Sequence, residues 1–184
     1  MNKTKLYLGL VHYPVTNRLG ELVTTSITNL DIHDISRSCL TFGVRQFFII
    51  NPLPTQKEFL ERVTRFWNQE EAAAYNSHRV AALQLIQYAT SIDMVITEIK
   101  NQEEISPVIV TTTAVERKSH LSFRNFLQIR GPVLLLLGTG YGLAPQVHDR
   151  ADFILEPIRG VGDYNHLSVR SAAAIVLDRI SSEK

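Results

Sequence analysis

Short apolar runs alternate with amphipathic segments along this chain. That alternation predicts an α/β protein with a mostly parallel sheet and flanking helices. Residues 6–11 read as the first strand. Ile32, Ile35, Cys39 and Phe42 recur three or four positions apart, so residues 27–42 predict a helix with one buried face. Phe47, Phe48, Ile49 and Ile50 form a short buried strand, stopped by Asn51 and Pro52. Thr55 reads as the cap of the next helix, which runs to Trp67, with Glu58 three residues on as in a capping box. Val80, Leu83 and Gln87 predict a further helix over 72–88. Residues 94–96 and 108–110 are compact strand candidates, separated by a polar helix or loop over 98–104. A helix over 123–129 is closed by Gly131 and Pro132. Residues 133–137 are apolar on both faces and form the clearest central strand. A last strand over 153–155 precedes an Ala-rich helix over 166–180, which turns Val169, Ala172, Ala173, Val176 and Ile180 inward.

Composition adds limits more than direction. A chain of 184 residues with no internal repeat, low-complexity tract or Gly/Ser linker reads as one domain over 1–184. Cys39 is the only cysteine, so no internal disulfide forms and a reducing compartment fits best. The apolar stretch near the N-terminus is short and interrupted by Gly9, His12 and Pro14, which matches neither a signal peptide nor a membrane span. The expectation is a cytoplasmic protein with no membrane contact. A net charge of +1 does not announce a nucleic-acid binder, so any such contact rests on local patches or a second subunit. Arg62, Arg65 and Arg79, near Trp67 and Tyr75, form one candidate patch and equally a solvated helical face. The histidines are scattered without metal-ligand spacing, so no metal site is expected.

The candidate chemistry gathers late in the chain. Gly138, Gly140 and Gly142 follow the central strand, where the backbone must turn sharply and can approach a ligand closely. The bland alternative is a tight turn that binds nothing. No Gly-Lys-Ser/Thr ending is present, which excludes a phosphate loop. The glycine spacing also differs from the dinucleotide fingerprint, which argues against an oxidoreductase. Only about one strand and one long helix follow these glycines, too little sheet for a conventional dinucleotide site.

Three segments together resemble the motifs of the SPOUT methyltransferase superfamily. They are Leu137 to Leu143, Ile154 to Gly160, and Asn165 to Ile175 with its Leu-Ser-Val-Arg-Ser-Ala-Ala-Ala run. Residues 29–44, ending Arg37-Ser38-Cys39-Leu40-Thr41-Phe42-Gly43-Val44, are similar to that superfamily's first motif. The resemblance covers the chain, and its specific part is the last third. It implies a C-terminal deep trefoil knot whose loops hold bent S-adenosylmethionine mainly through backbone groups. It also implies an RNA substrate, tRNA or rRNA, and a homodimer that completes the site. On the same ground Thr111, Thr112, Gly138, Gly140, Gly142, Leu143, Leu155, Ile158, Gly160, Leu167, Ser168, Val169 and Ala172 are expected to hold the cofactor.

Arg37 falls on the superfamily's arginine beside the reacting group, and a guanidinium can grip a phosphate bidentately. The alternative is a solvated residue paired with Asp34, three positions earlier. Asp163, Asn165 and, with less weight, His166 are placed to handle the proton of the methylated atom. As a plainer reading, Asp163 belongs to a Gly-Asp turn and His166 caps the last helix. The glycine motif carries Tyr141 and lacks the glutamate usual in ribose-methylating members. The choice between a ribose 2′-oxygen and a base nitrogen therefore stays open. So does a non-catalytic RNA-binding or assembly module on the same fold.

Overall fold

The computed structural model describes residues 4–117, 119–162 and 164–181. The chain opens with β1 (Lys5–Val11), passes through a small antiparallel hairpin of β2 (Val15–Thr16) and β3 (Leu22–Val23), and enters α1 (Asn29–Thr41). Next come β4 (Gln46–Ile50), α2 (Pro54–Trp67), α3 (Glu70–Tyr75), α4 (Ser77–Leu83) and β5 (Ile86–Ala89). Then follow α5 (Ile92–Glu103), β6 (Val108–Thr111), α6 (Phe123–Phe126) and β7 (Pro132–Gly138). The described chain closes with α7 (Pro145–Asp149), β8 (Phe153–Ile154) and α8 (Val169–Ser181).

Six strands form one sheet in the order β5-β4-β1-β7-β6-β8, and every pairing in it is parallel. Both faces are covered, which explains the near-continuous apolar strand sequences. Leu6, Leu8 and Leu10 of β1 join Phe47, Ile49, Val133, Leu135 and Leu137 on one face, beneath α1, α2, α4, α6 and α8. Tyr7, Val11, Phe48, Ile50, Leu134 and Leu136 point the other way, onto Val95 and Ile99 of α5 and Val147 of α7. At β1 the chain has turned towards β4 and β5, whereas later strands add on the opposite side. That reversal leaves a crevice outside the carboxyl ends of β1 and β7, where open α/β sheets place ligands.

Several expected elements change. The helix expected over 72–88 breaks at Asn76, whose side chain accepts the Arg79 N–H and starts α4. Its last four residues are instead the edge strand β5, bonded to β4. The strand expected over 94–96 lies inside α5, because Ser91 caps Met94 N–H and Val95 and Ile99 bury one face four residues apart. The cap expected at Thr55 falls inside α2, which begins with Pro54 after an uncapped Leu53. Proline suits that first position because its missing N–H has no helical partner there. The helix expected from 123 to 129 is the four-residue α6, and the last helix begins at Val169 rather than 166.

Among the described residues no helix is long and apolar enough to cross a membrane. No cluster of three or more metal-ligating side chains occurs among them either.

Candidate active-site cleft

Beyond the carboxyl ends of β1, β6 and β7 lies a cleft of about 1020 Å³. That is the upper end of the range for a small-molecule site, which leaves room for more than one ligand group. Chain segments far apart in sequence form its walls.

The glycine loop after β7 is one wall. A side-chain carbon added at Gly138 would stand 2.4 Å from the Leu143 nitrogen and 2.8 Å from the Gly142 carbonyl carbon. Gly138 is thus required where the loop folds back on its own strand. Gly140 and Gly142 have φ of +60° and +107°, the left-handed region that glycine enters without a Cβ penalty. The hairpin strand β2 secures the loop from outside: Tyr141 N–H donates to Thr16 O and Thr16 N–H to Gly142 O, each at 3.0 Å. Gly142 N–H is spent on Thr139 O at 3.0 Å, whereas Gly140 and Leu143 N–H make no hydrogen bond among the described residues. Two backbone donors in a glycine-shaped cradle suit a ligand rich in acceptors.

Leu155, Glu156 and Ile158 form a second wall, and Asn165 to Val169, Arg170 and Ala172 a third. Thr112 to Val115 and Arg117 close that side. These loops are tied together. Asn165 Nδ2 donates to Ala114 O at 3.2 Å, Phe123 N–H to Glu156 Oε1 at 2.5 Å, and Arg159 pairs with Glu116 at 2.9 Å.

Most residues expected to hold a cofactor meet here: Thr112, Gly138, Gly140, Gly142, Leu143, Leu155, Ile158, Leu167, Ser168, Val169 and Ala172, together with Asn165. Thr111 stands one layer behind the wall, fully buried, with its hydroxyl 2.9 Å from His148 Nδ1. Gly160 sits outside the lining, in the turn below Tyr164 O. Arg37 is exposed on α1 and does not line the cleft within one chain. Its expected partner Asp34 faces Arg170 instead, at 3.6 Å. Asp163 lies outside the described residues.

The sequence reading missed a fourth wall, made by Thr16, Thr25, Ser26, Thr28 and Asp31 with Arg170 from α8. A signal was present in the hydroxyl run Thr24-Thr25-Ser26-Ile27-Thr28 ahead of a helix, the composition of a cap. His148 was also missed, since it sits in the short α7. Burial, with Arg117 nearby, pushes its imidazole down to about 4, so the ring is neutral at pH 7. His12 is fully buried, with Nδ1 2.9 Å from the Thr25 hydroxyl. Thr25 in turn bonds Thr139, whose hydroxyl donates to Val11 O at 3.0 Å. Burial holds His12 at about 4, and its Nε2 has no hydrogen-bond partner.

Comparison with known proteins agrees with this geometry. The family described as SAM-dependent RNA methyltransferase matches residues 5–182. The tRNA (guanine-N(1)-)-methyltransferase of Oleidesulfovibrio alaskensis is 42% identical over 177 residues, 95% of this chain and 41% of that protein. The chain thus spans about two-fifths of that relative's length. An uncharacterized protein of Aquifex aeolicus is 36% identical over 186 residues, covering 99% of this chain and 91% of its own. Among solved structures, the A. aeolicus TrmH/SpoU tRNA modifying enzyme superposes with a TM-score of 0.58 at 16% identity. That match covers 98% of this chain and 75% of the other, and carries the fold alone.

Proposed function

Because the chain belongs to the SAM-dependent RNA methyltransferase family, we propose that its cleft binds S-adenosylmethionine and directs methyl transfer to a nucleotide of tRNA or rRNA. One observation carries this reading. Four stretches of chain separated by up to sixty residues bring Thr112, Gly138 to Leu143, Leu155 to Ile158, and Leu167 to Ala172 to a single cleft.

The residues fit the cofactor. The unpaired N–H groups of Gly140 and Leu143 suit its acceptors, and Leu143, Leu155, Ile158, Leu167 and Val169 offer apolar cover for a flat ring. The bound cofactor supplies an electrophilic methyl carbon on a sulfonium. The protein contributes position, because holding nucleophile and electrophile in line removes entropy from the barrier. Ser168 and Asn165 orient groups at the mouth, and Asn165 or Asp163 receives or relays the proton lost by the target oxygen or nitrogen. Arg37, outside the cleft of its own chain, serves the cleft of a second copy in a homodimer and grips substrate phosphate there. The chain works as one methyltransferase domain in the cytoplasm. The C-terminal knot belongs to the same reading, supported by the tie between Asn165 and the 112–117 loop just before α8.

Calorimetric titration with S-adenosylmethionine, followed by transfer of its labelled methyl group to RNA from cells lacking the protein, tests the proposal. Binding in the micromolar range and label in RNA are expected. No measurable binding would leave the non-catalytic RNA-binding module. Arg37→Ala is expected to spare cofactor binding and remove turnover, and full activity in that variant would refute its role.

A further inference from the structure

The fourth wall of the cleft is chemically unlike the other three. Its hydroxyls come from Thr16, Thr25, Ser26 and Thr28, and its charge from Asp31 and Arg170. Asp31 is only 5% exposed. Its Oδ1 receives Arg170 Nη1 at 2.9 Å and its Oδ2 the Thr28 hydroxyl at 2.6 Å. Thr28 Oγ1 also accepts the Asp31 N–H at 3.1 Å, so the carboxylate is fixed to the start of α1. A buried ion pair adds little net stability and is costly to leave half-made, so its presence in a ligand cleft calls for another reason.

Counting donors and acceptors supplies one. A carboxylate offers about four lone-pair sites, so each Asp31 oxygen keeps acceptor capacity after its present bond. The side chain of Arg170 is 32% exposed, and its Nη2 makes no hydrogen bond among the described residues. Asp34 stands 3.6 Å from Arg170 Nε, so two carboxylates face one guanidinium. Net negative charge at this end disfavours a phosphate and favours a neutral group rich in N–H donors. Among the four RNA bases, guanine carries adjacent ring N–H and exocyclic amino donors beside a carbonyl oxygen. Adenine and cytosine offer one amino group next to a bare ring nitrogen, and uracil a single N–H between carbonyls.

We propose that this wall is the target-base subsite, in which Asp31 accepts the ring N–H and amino group of a guanine while Arg170 donates to its carbonyl oxygen. Asp31 and Arg170 are then specificity-determining residues, held by Thr28 and Asp34. This rests on reading the cleft as the methyl-transfer site, and it adds which base enters. Arg170 also opens α8, directly after the Leu167–Ser168 stretch, so a seated base and the cofactor-side loop share one guanidinium.

The test is binding of nucleoside 5′-monophosphates to the full chain saturated with S-adenosylhomocysteine, followed by NMR shifts of the amides over 25–31. All the probes carry the same phosphate, so differences report the base. GMP is expected to bind at least about tenfold tighter than AMP, CMP or UMP, which is about 1.4 kcal/mol. IMP, which lacks the 2-amino group, should fall between. Asp31→Asn is expected to erase the preference while S-adenosylhomocysteine affinity stays within about threefold. Equal binding of all nucleotides, or binding of none, overturns the proposal, and the wild-type ranking decides even if the variant does not fold. A GMP preference without methyl transfer to RNA would instead overturn the catalytic reading and leave the subsite standing.

Discussion

The two ends of the parallel sheet use polar groups in opposite ways. At the amino-terminal edge, Glu103 from the end of α5 is almost fully buried. It receives Lys5 Nζ, the Tyr7 hydroxyl at 2.6 Å and Arg45 Nη1 at 3.4 Å. The bonds from Lys5 and Tyr7 hold its carboxyl below the usual range, while burial and Glu103 push the Tyr7 phenol up to about 12. These groups satisfy one another. At the carboxyl-terminal edge, polar groups keep spare capacity: His12 Nε2, the N–H of Gly140 and Leu143, and Arg170 Nη2. A closed network stabilises a fold, whereas unspent donors and acceptors are costly unless a ligand or water takes them. The first edge is read as structural and the second as functional.

Substitutions at the two edges should therefore separate binding from stability. The largest expected effect is on binding. Gly138→Ala places a carbon against the Leu143 backbone and displaces the loop, so calorimetry should record S-adenosylmethionine affinity weakened by about 100-fold or more. Next is acidification. His12 and His148 stay neutral down to about 4 when folded, whereas an unfolded histidine protonates near 6.5. Between those values the unfolded chain binds more protons, so stability falls as pH falls, by on the order of 1 kcal/mol per pH unit for each ring. Thermal unfolding at pH 7, 6 and 5 checks the direction, and a midpoint that rises on acidification would contradict it. The smallest effect isolates the other edge. Glu103→Gln should cost about 2 kcal/mol, lowering the unfolding midpoint by about 5 °C, with cofactor affinity unchanged. A matching loss of affinity would mean that the two ends are coupled.

Much of this contrast was legible in the sequence, for identifiable reasons. The strands at 6–11, 47–50, 108–110 and 133–137 stand out because sheet faces covered on both sides leave continuous apolar runs. The glycine loop stands out because close backbone approach admits only one residue type at Gly138. Short segments misled where one face is half-buried: Ile86 to Ala89 follows a helical pattern yet pairs with β4, and Met94 to Ile96 looks like a strand yet packs as a helix. The fourth wall was hidden for another reason. Asp31 and Arg170 are 139 positions apart, and no local period links a helix start to a helix start that far along the chain.

The central claim is that the carboxyl-terminal cleft holds the cofactor. A crystal structure of the chain grown with S-adenosylhomocysteine tests it most directly. The account predicts density for the ligand against Gly140, Leu143, Leu155 and Leu167, with the Asp31–Arg170 wall left open beside it. Density elsewhere, such as the apolar pocket of about 230 Å³ between Pro14, Ile92 and Val147, would contradict it.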